Sequence, residues 1–264
     1  MKRFLTISCV VFFAISFFSV CHGLEGEPII GRVSDWAPHY YKENGKWKGI
    51  SVDTYRALAD EAGISLVLNK IPWSRAMKYM GFRPIMIGNL NPTSERQKLM
   101  YFFGPHHEEI MGVAISVKYK DVKINTLDDL ASLADRTGLQ IIFQQDVFYS
   151  NEFNSRIESD PGFAEHFKKK VMKINESIRL ISESRYLGFI EDKSGLDYLI
   201  KLKKLTDQVV IHDYVLSRTD VYVGVSKTIS NDMYQKLKAA DKRLKAKGVY
   251  KFIQNKWLPA KKIE

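Results

Sequence analysis

The residues with the clearest capacity for chemistry lie between positions 85 and 96. A short apolar run, Ile85–Gly88, leads into Asn89-Leu90-Asn91, and Thr93-Ser94-Glu95-Arg96 follows after a proline. The end of a parallel strand is where α/β proteins bind their ligands. An arginine there offers a planar fork of donors to a carboxylate, and the asparagine amides add hydrogen bonds. Taken alone, an arginine in a loop is more often a surface salt bridge. Trp36-Ala37-Pro38 and Pro72-Trp73-Ser74-Arg75 each place a tryptophan just after an expected strand. Trp36 and Trp73 can stack on a ligand or attract a cationic group there, or can serve as core or rim residues.

The commonest catalytic signatures are missing. The chain has no GxSxG, no HExxH, no P-loop and no complete GxGxxG. His106 and His107 are adjacent, so on a strand they should face opposite ways and could not easily share a metal. They are expected to be surface or structural residues. No catalytic residue, cofactor or metal is expected.

The elements that must position these side chains alternate. Strands are expected at 29–33, 64–68, 85–88, 111–117, 139–143, 186–191, 209–212 and 221–225. Helical spacing marks 53–62, closed by Gly63, and 73–80. Thr126 with Asp129 resembles a capping box, a further helix begins near Glu176, and Ser230 opens a long helix that Gly248 interrupts before Tyr250–Trp257. This pattern argues an α/β fold with largely parallel sheets. Two alternations flanking two extended segments suggest two lobes joined by two crossovers; a single doubly wound domain is the competing reading.

The amino terminus reads as a secretory signal peptide. Lys2 and Arg3 precede the uncharged apolar run Phe4–Val20, and Cys21-His22-Gly23 offers small residues for cleavage after Gly23. Both cysteines lie inside this segment, so thiol chemistry is excluded from the mature chain. Lipid attachment at Cys21 stays open. The whole chain carries a net charge of +10. Lysine runs at 168–170, 201–204 and 261–262 lack interleaved aromatics, so they are expected to be solvated faces and not a nucleic-acid surface. No later segment is long and apolar enough to span a membrane.

Taken in order, the motifs resemble the bacterial extracellular solute-binding proteins of family 3, the polar amino-acid binding proteins of ABC importers. The resemblance covers nearly the whole mature chain. Trp36-Ala37-Pro38 is followed by the stretch Asn44-Gly45-Lys46-Trp47-Lys48-Gly49-Ile50-Ser51-Val52-Asp53, and then by Pro72-Trp73-Ser74-Arg75-Ala76. Thr93-Ser94-Glu95-Arg96 with Phe103-Gly104-Pro105 comes next, then Leu187-Gly188-Phe189-Ile190-Glu191-Asp192, and finally Leu244–Tyr250.

The resemblance implies a periplasmic binding protein fold of type II, with two Rossmann-like lobes joined by two crossover strands. Residues 1–23 would be the signal peptide, 24–113 plus 222–264 the first lobe, and 114–221 the second. Arg96 would bind a ligand carboxylate, Asn89 and Asn91 would line the same pocket, and Trp36 would lie against the ligand. Asp192, with Glu191 beside it, would take the ammonium. The implied protein is a periplasmic monomer, not an enzyme, that closes on an amino acid or related carboxylate and delivers it to a membrane ABC permease. An enzyme resembling cyclohexadienyl dehydratase, with Glu191 or Asp192 as general acid or base, is the main rival, and a ligand-sensing subunit for a membrane receptor is a third reading. Two departures stand out. Gly81-Phe82-Arg83-Pro84 replaces the family's usual acidic position, and Phe143-Gln144-Gln145-Asp146 lacks its usual glycine.

Overall fold

The computed structural model describes residues 27–170 and 174–258. The expected signal segment 1–23 lies outside them. The first strand, β1 (Ile29–Val33), stands where the sequence places it. A hairpin of β2 (Tyr41–Glu43) and β3 (Lys46–Lys48) turns at Asn44-Gly45, both with positive φ, the combination a two-residue hairpin turn favours. Helix α1 (Ile50–Ala62) buries Val52, Tyr55, Leu58 and Ala59 on one face and ends on Gly63. Then come β4 (Leu66–Lys70), α2 (Trp73–Tyr79), β5 (Ile85–Leu90) and α3 (Ser94–Leu99), the last capped by Thr93.

The long strand β6 (Met100–Ser116) leads to α4 (Leu127–Thr137), which opens on the expected Thr126–Asp129 capping box. Next are β7 (Ile141–Gln144), α5 (Asn151–Ser159), α6 (Pro161–Ala164), β8 (Phe167–Lys170) and α7 (Ile174–Ser182). Strand β9 (Gly188–Asp192) runs directly into α8 (Lys193–Leu202). The second long strand, β10 (Val209–Ser226), precedes α9 (Asn231–Ala246), capped by Ser230, and α10 (Val249–Trp257), which starts after Gly248.

The expected strands at 209–212 and 221–225 are the two ends of β10, and the strand expected at 111–117 is the second half of β6. These strands pair antiparallel along nearly their whole length. They are the crossovers of an eight-stranded mixed sheet in the order β4-β1-β5-β10-β6-β9-β7-β8. β1 pairs parallel with β4 and β5 at one end, and β7 pairs parallel with β8 and β9 at the other. Apolar packing divides accordingly. One set of clusters gathers Ile29, Tyr55, Ile87, Met100, Phe103, Val223 and Leu244, and another gathers Met111, Val113, Leu130, Phe153, Phe189 and Leu199. The changeover falls inside β6 and β10. The architecture is two α/β lobes on either side of a pair of crossing strands.

The lysine runs lie as the sequence suggests where they are described. Lys168 and Lys169 are exposed on β8, an edge strand, where charge discourages pairing with another chain. Lys201, Lys203 and Lys204 are exposed at the end of α8.

Candidate functional site

A cavity of about 650 Å³ lies between the lobes, at the carboxyl ends of the parallel strands. The first lobe supplies Arg32 at the end of β1 with Asp35 and Trp36 after it, Lys70 at the end of β4 with Ile71 to Ser74 after it, Asn89 and Asn91 at the end of β5, and Arg96 on α3. The facing wall holds Glu109 and Met111 of β6, Gln144 at the end of β7 with Gln145, Val147 and Phe148 after it, Glu176 of α7, and Glu191 of β9. Five of the six sequence-chosen side chains, Trp36, Trp73, Asn89, Asn91 and Arg96, line it.

Arg96 is buried, and its guanidinium is fixed at both forks. Nη1 donates to the Asn91 carbonyl at 3.1 Å and Nη2 to the Asp146 carbonyl at 3.0 Å. Burial lowers its pKa to about 10, which leaves it charged at neutral pH. Asn91 also donates through Nδ2 to Thr219 Oγ1 at 3.0 Å, tying the end of β5 to β10. Trp73 Nε1 donates to the same Asp146 carbonyl at 3.1 Å, and the Arg96 guanidinium lies 6.0 Å from the Trp73 ring centroid. The loop that departs from the family pattern therefore reaches the site. Asp146 has φ 61°, which turns the chain after β7 so that its carbonyl meets both side chains of the opposite lobe.

Asp192 does not line the cavity. Its Oδ2 accepts from His39 Nε2 at 3.0 Å, from Gly195 N at 3.1 Å and from the Ser194 hydroxyl, and its Oδ1 accepts from Ile110 N at 3.4 Å. The carboxylate is thus the N-cap of α8 and a tie between lobes. Burial pushes its pKa up, but the bonds from His39, Ser194 and Gly195 outweigh that and hold it below the usual value. His39 in turn accepts at Nδ1 from Asn89 Nδ2 at 2.7 Å, and Asn89 Oδ1 accepts from Ser51 at 2.8 Å. Much of the Asn89 amide is therefore spent on positioning His39.

The acid that faces the cavity is the neighbour, Glu191. Burial, with the Asp192 charge adding to it, pushes its pKa up to about 8, against one backbone hydrogen bond from Asp192 N. Glu109 on the same wall is raised well above the carboxylate range, first by burial and then by Asp192 and Glu191.

A model of the bacterial extracellular solute-binding proteins, family 3, matches residues 29–260. The chain belongs to this family. The "Arginine-binding extracellular protein ArtP" of Bacillus subtilis (strain 168) is 22% identical over 270 residues, covering 99% of this chain and all of that one. An ancestral arginine-binding protein bound to arginine superposes with a TM-score of 0.71 at 17% identity, over 88% of this chain and 97% of that structure. A histidine kinase sensor domain with similarity to periplasmic binding proteins gives the same TM-score and identity, over 89% and 97%. These likenesses carry the type II periplasmic binding protein fold.

Trp36 of this family 3 protein lies against His39, with centroids 4.1 Å apart, and against the first turn of α8. A Cβ at Gly195 would come within 2.7 Å of Trp36 Nε1, so the approach of ring to helix requires glycine. The indole nitrogen itself is buried without a hydrogen-bond partner. His106 and His107 are structural, one of the two expected readings, but they do not point to opposite faces. Both are buried, and their Nδ1 atoms lie 2.8 Å apart. The reason is a register shift against β10, where Phe103 faces Val223 and His107 faces Val221, so the bulge at 104–106 breaks the alternation of faces. Among the described residues no group of three or more His, Cys, Asp or Glu side chains could hold a metal ion.

Sequence reasoning passed over Arg32, Glu109 and the Asp146 carbonyl. For Arg32 the signal was present, as a lone charge in the apolar run Ile29–Val33. For Glu109 it was an acid just before the apolar stretch of β6. For Asp146 there was none, since a backbone carbonyl carries no residue signature.

Proposed function

We propose that this family 3 protein is a periplasmic solute-binding protein that closes its two lobes on a small amino acid or related carboxylate and presents the closed form to an ABC importer. The observation that carries this reading is the Asp146 carbonyl, which receives Arg96 and Trp73 from across the cavity. A ligand seated between the lobes stabilises these closing contacts, and differential contact with open and closed states is what shifts such an equilibrium. Arg96 takes the carboxylate, Trp36 and Trp73 form the walls, and Glu191 takes the ammonium. Asp192 acts behind Glu191 as cap and tie. The lobes move where β6 and β10 pass from one apolar cluster to the other, between Phe103 and Met111 and between Leu216 and Val223. The segment 1–23 directs export and is removed, and the mature protein acts as a monomer.

A thermal-shift screen of amino acids and small organic acids tests this reading. A ligand at 100 times its Kd adds about 2.7 kcal/mol of stability. If no amino acid or organic acid raises the melting temperature at millimolar concentration, the reading fails. If prephenate or arogenate is consumed on incubation, the protein is an enzyme on this fold. The likeness to a kinase sensor domain favours a second reading, a ligand-sensing subunit. Crosslinking in membranes separates the two, since an importer partner is a permease and a sensor partner a receptor.

A further inference from the structure

Arg32 stands at the carboxyl end of β1 with 4% of its surface exposed. Its Nε donates to the Ile71 carbonyl at 3.1 Å, and its guanidinium lies 5.2 Å from the ring centroids of both Tyr40 and Trp73. Its Nη1 is buried without a hydrogen-bond partner. Among the described residues neither Arg32 nor Arg96 forms an ion pair with an acidic side chain, and both line the cavity with their guanidinium groups within about 6 Å of the Trp73 ring centroid. The third cation of the lining, Lys70, is ion-paired with Asp35. A buried guanidinium with an open donor is costly unless an anion reaches it. Arg32 has such a donor, and Arg96 gives only two of its five N–H groups to carbonyls, so the cavity has room for two anions.

We propose that the ligand carries two anionic groups, one held by Arg96 and the second by Arg32, so that the protein takes an acidic amino acid or similar dicarboxylate and not a basic one. This rests on the solute-binding reading of the same cavity and names its ligand class. Of the three acids of the far wall, Glu109 and Glu191 do not discharge the arginines, because burial favours their neutral forms, and Glu176 is exposed and forms no ion pair with either arginine. An acidic amino acid matches the lining group for group: two carboxylates for two guanidinium forks, and one ammonium for Glu191. A guanidinium or ammonium at the end of a ligand side chain would instead meet Arg32 as a like charge, in a setting where water does not screen it.

Calorimetry on the mature protein tests this with L-glutamate, L-aspartate, succinate, L-glutamine and L-arginine. The result expected is that at least one of the three dianionic ligands binds about 30-fold tighter than L-glutamine, which matches L-glutamate in size but lacks the second charge. In Arg32→Met that preference should collapse to within a few-fold, with glutamate losing more affinity than glutamine. Arg32→Lys, which keeps the charge without the fork, should retain part of the preference and guards against a failure of the methionine variant to fold. Arginine or glutamine binding as tightly as all three acids would overturn the inference and leave the solute-binding reading standing. Equal losses for glutamate and glutamine in a folded Arg32→Met would overturn it also, by making Arg32 part of the scaffold. If no member of a full amino-acid and organic-acid panel binds, the solute-binding reading falls and this inference with it.

Discussion

Proton release on ligand binding follows from Glu191. In the free protein its pKa is pushed up to about 8, from an ordinary value of 4.5, by burial first and by the Asp192 charge second. Below pH 8 the group is therefore mostly protonated. A protonated carboxyl cannot pair with an ammonium as an ion, so the proton must leave when the ligand docks. In the complex the ammonium holds the pKa down, so binding selects the ionised form. The sign follows directly: affinity rises with pH and levels off once the free protein is already ionised, near pH 8. Each pH unit below that costs about tenfold, or about 1.4 kcal/mol, so binding at pH 6 should be about 100-fold weaker than the plateau.

Titration calorimetry from pH 6 to 8.5, in two buffers of different protonation enthalpy, measures both the affinity and the protons released. Release should approach one proton at pH 6 and fall towards zero at the top of the range. Glu191→Gln should bind more weakly at pH 8 and lose most of the pH dependence. The groups that share Glu191's field are Asp192, Glu109 and Tyr149. A flat profile in the parent protein would refute the reasoning. A profile that survives Glu191→Gln but disappears in Glu109→Gln would move the ammonium to the other acid.

Two further outcomes can be checked. Trp73→Ala removes the bond to the Asp146 carbonyl and the ring that both guanidinium groups approach, so ligand binding should weaken by about tenfold or more and part of the ligand-induced change in tryptophan fluorescence should vanish; unchanged affinity would make Trp73 a rim residue. At pH 7, Asp192→Ala should lower the stability of the ligand-free protein by about 1–2 kcal/mol in urea unfolding, through loss of the α8 cap and the tie to His39, and this cost should fade as acid titrates the carboxylate below its usual pKa.

Much of the frame was legible because it rests on local requirements. The Thr126–Asp129 box, the Ser230 cap and the breaks at Gly63 and Gly248 are set by what a few neighbouring residues can satisfy. The long strands were not legible as continuous elements. β6 runs through Gly104-Pro105-His106-His107-Glu108-Glu109, whose polar character breaks any apolar pattern, and β10 reads as two separate runs. Their continuity depends on pairing with each other, with register shifts that no local spacing encodes. The short pieces β2, β3, α5, α6 and β8 were missed for the complementary reason. β2, β3, α6 and β8 are each too brief to show a period, and α5 buries only Phe153 and so carries no apolar stripe.

The site divides along the same line, and the two acids at the end of β9 show why. Sequence resemblance places a ligand-facing acid at this strand end, and Glu191 and Asp192 both stand there. On a strand, adjacent side chains point to opposite faces, so only one of the two can face the cavity. Which one does is decided by the residue that follows. Asp192 is the last residue of β9 and the first flank of α8, and an aspartate at that position satisfies the open N–H of Gly195. That local demand, with His39 arriving from the other lobe, commits both oxygens of Asp192 and leaves Glu191 to meet the cavity with its carboxyl almost unpaired. Strand alternation and helix capping are both local rules, and applied together to Glu191-Asp192-Lys193-Ser194-Gly195 they are enough to separate the acid that faces the cavity from the acid that caps the helix.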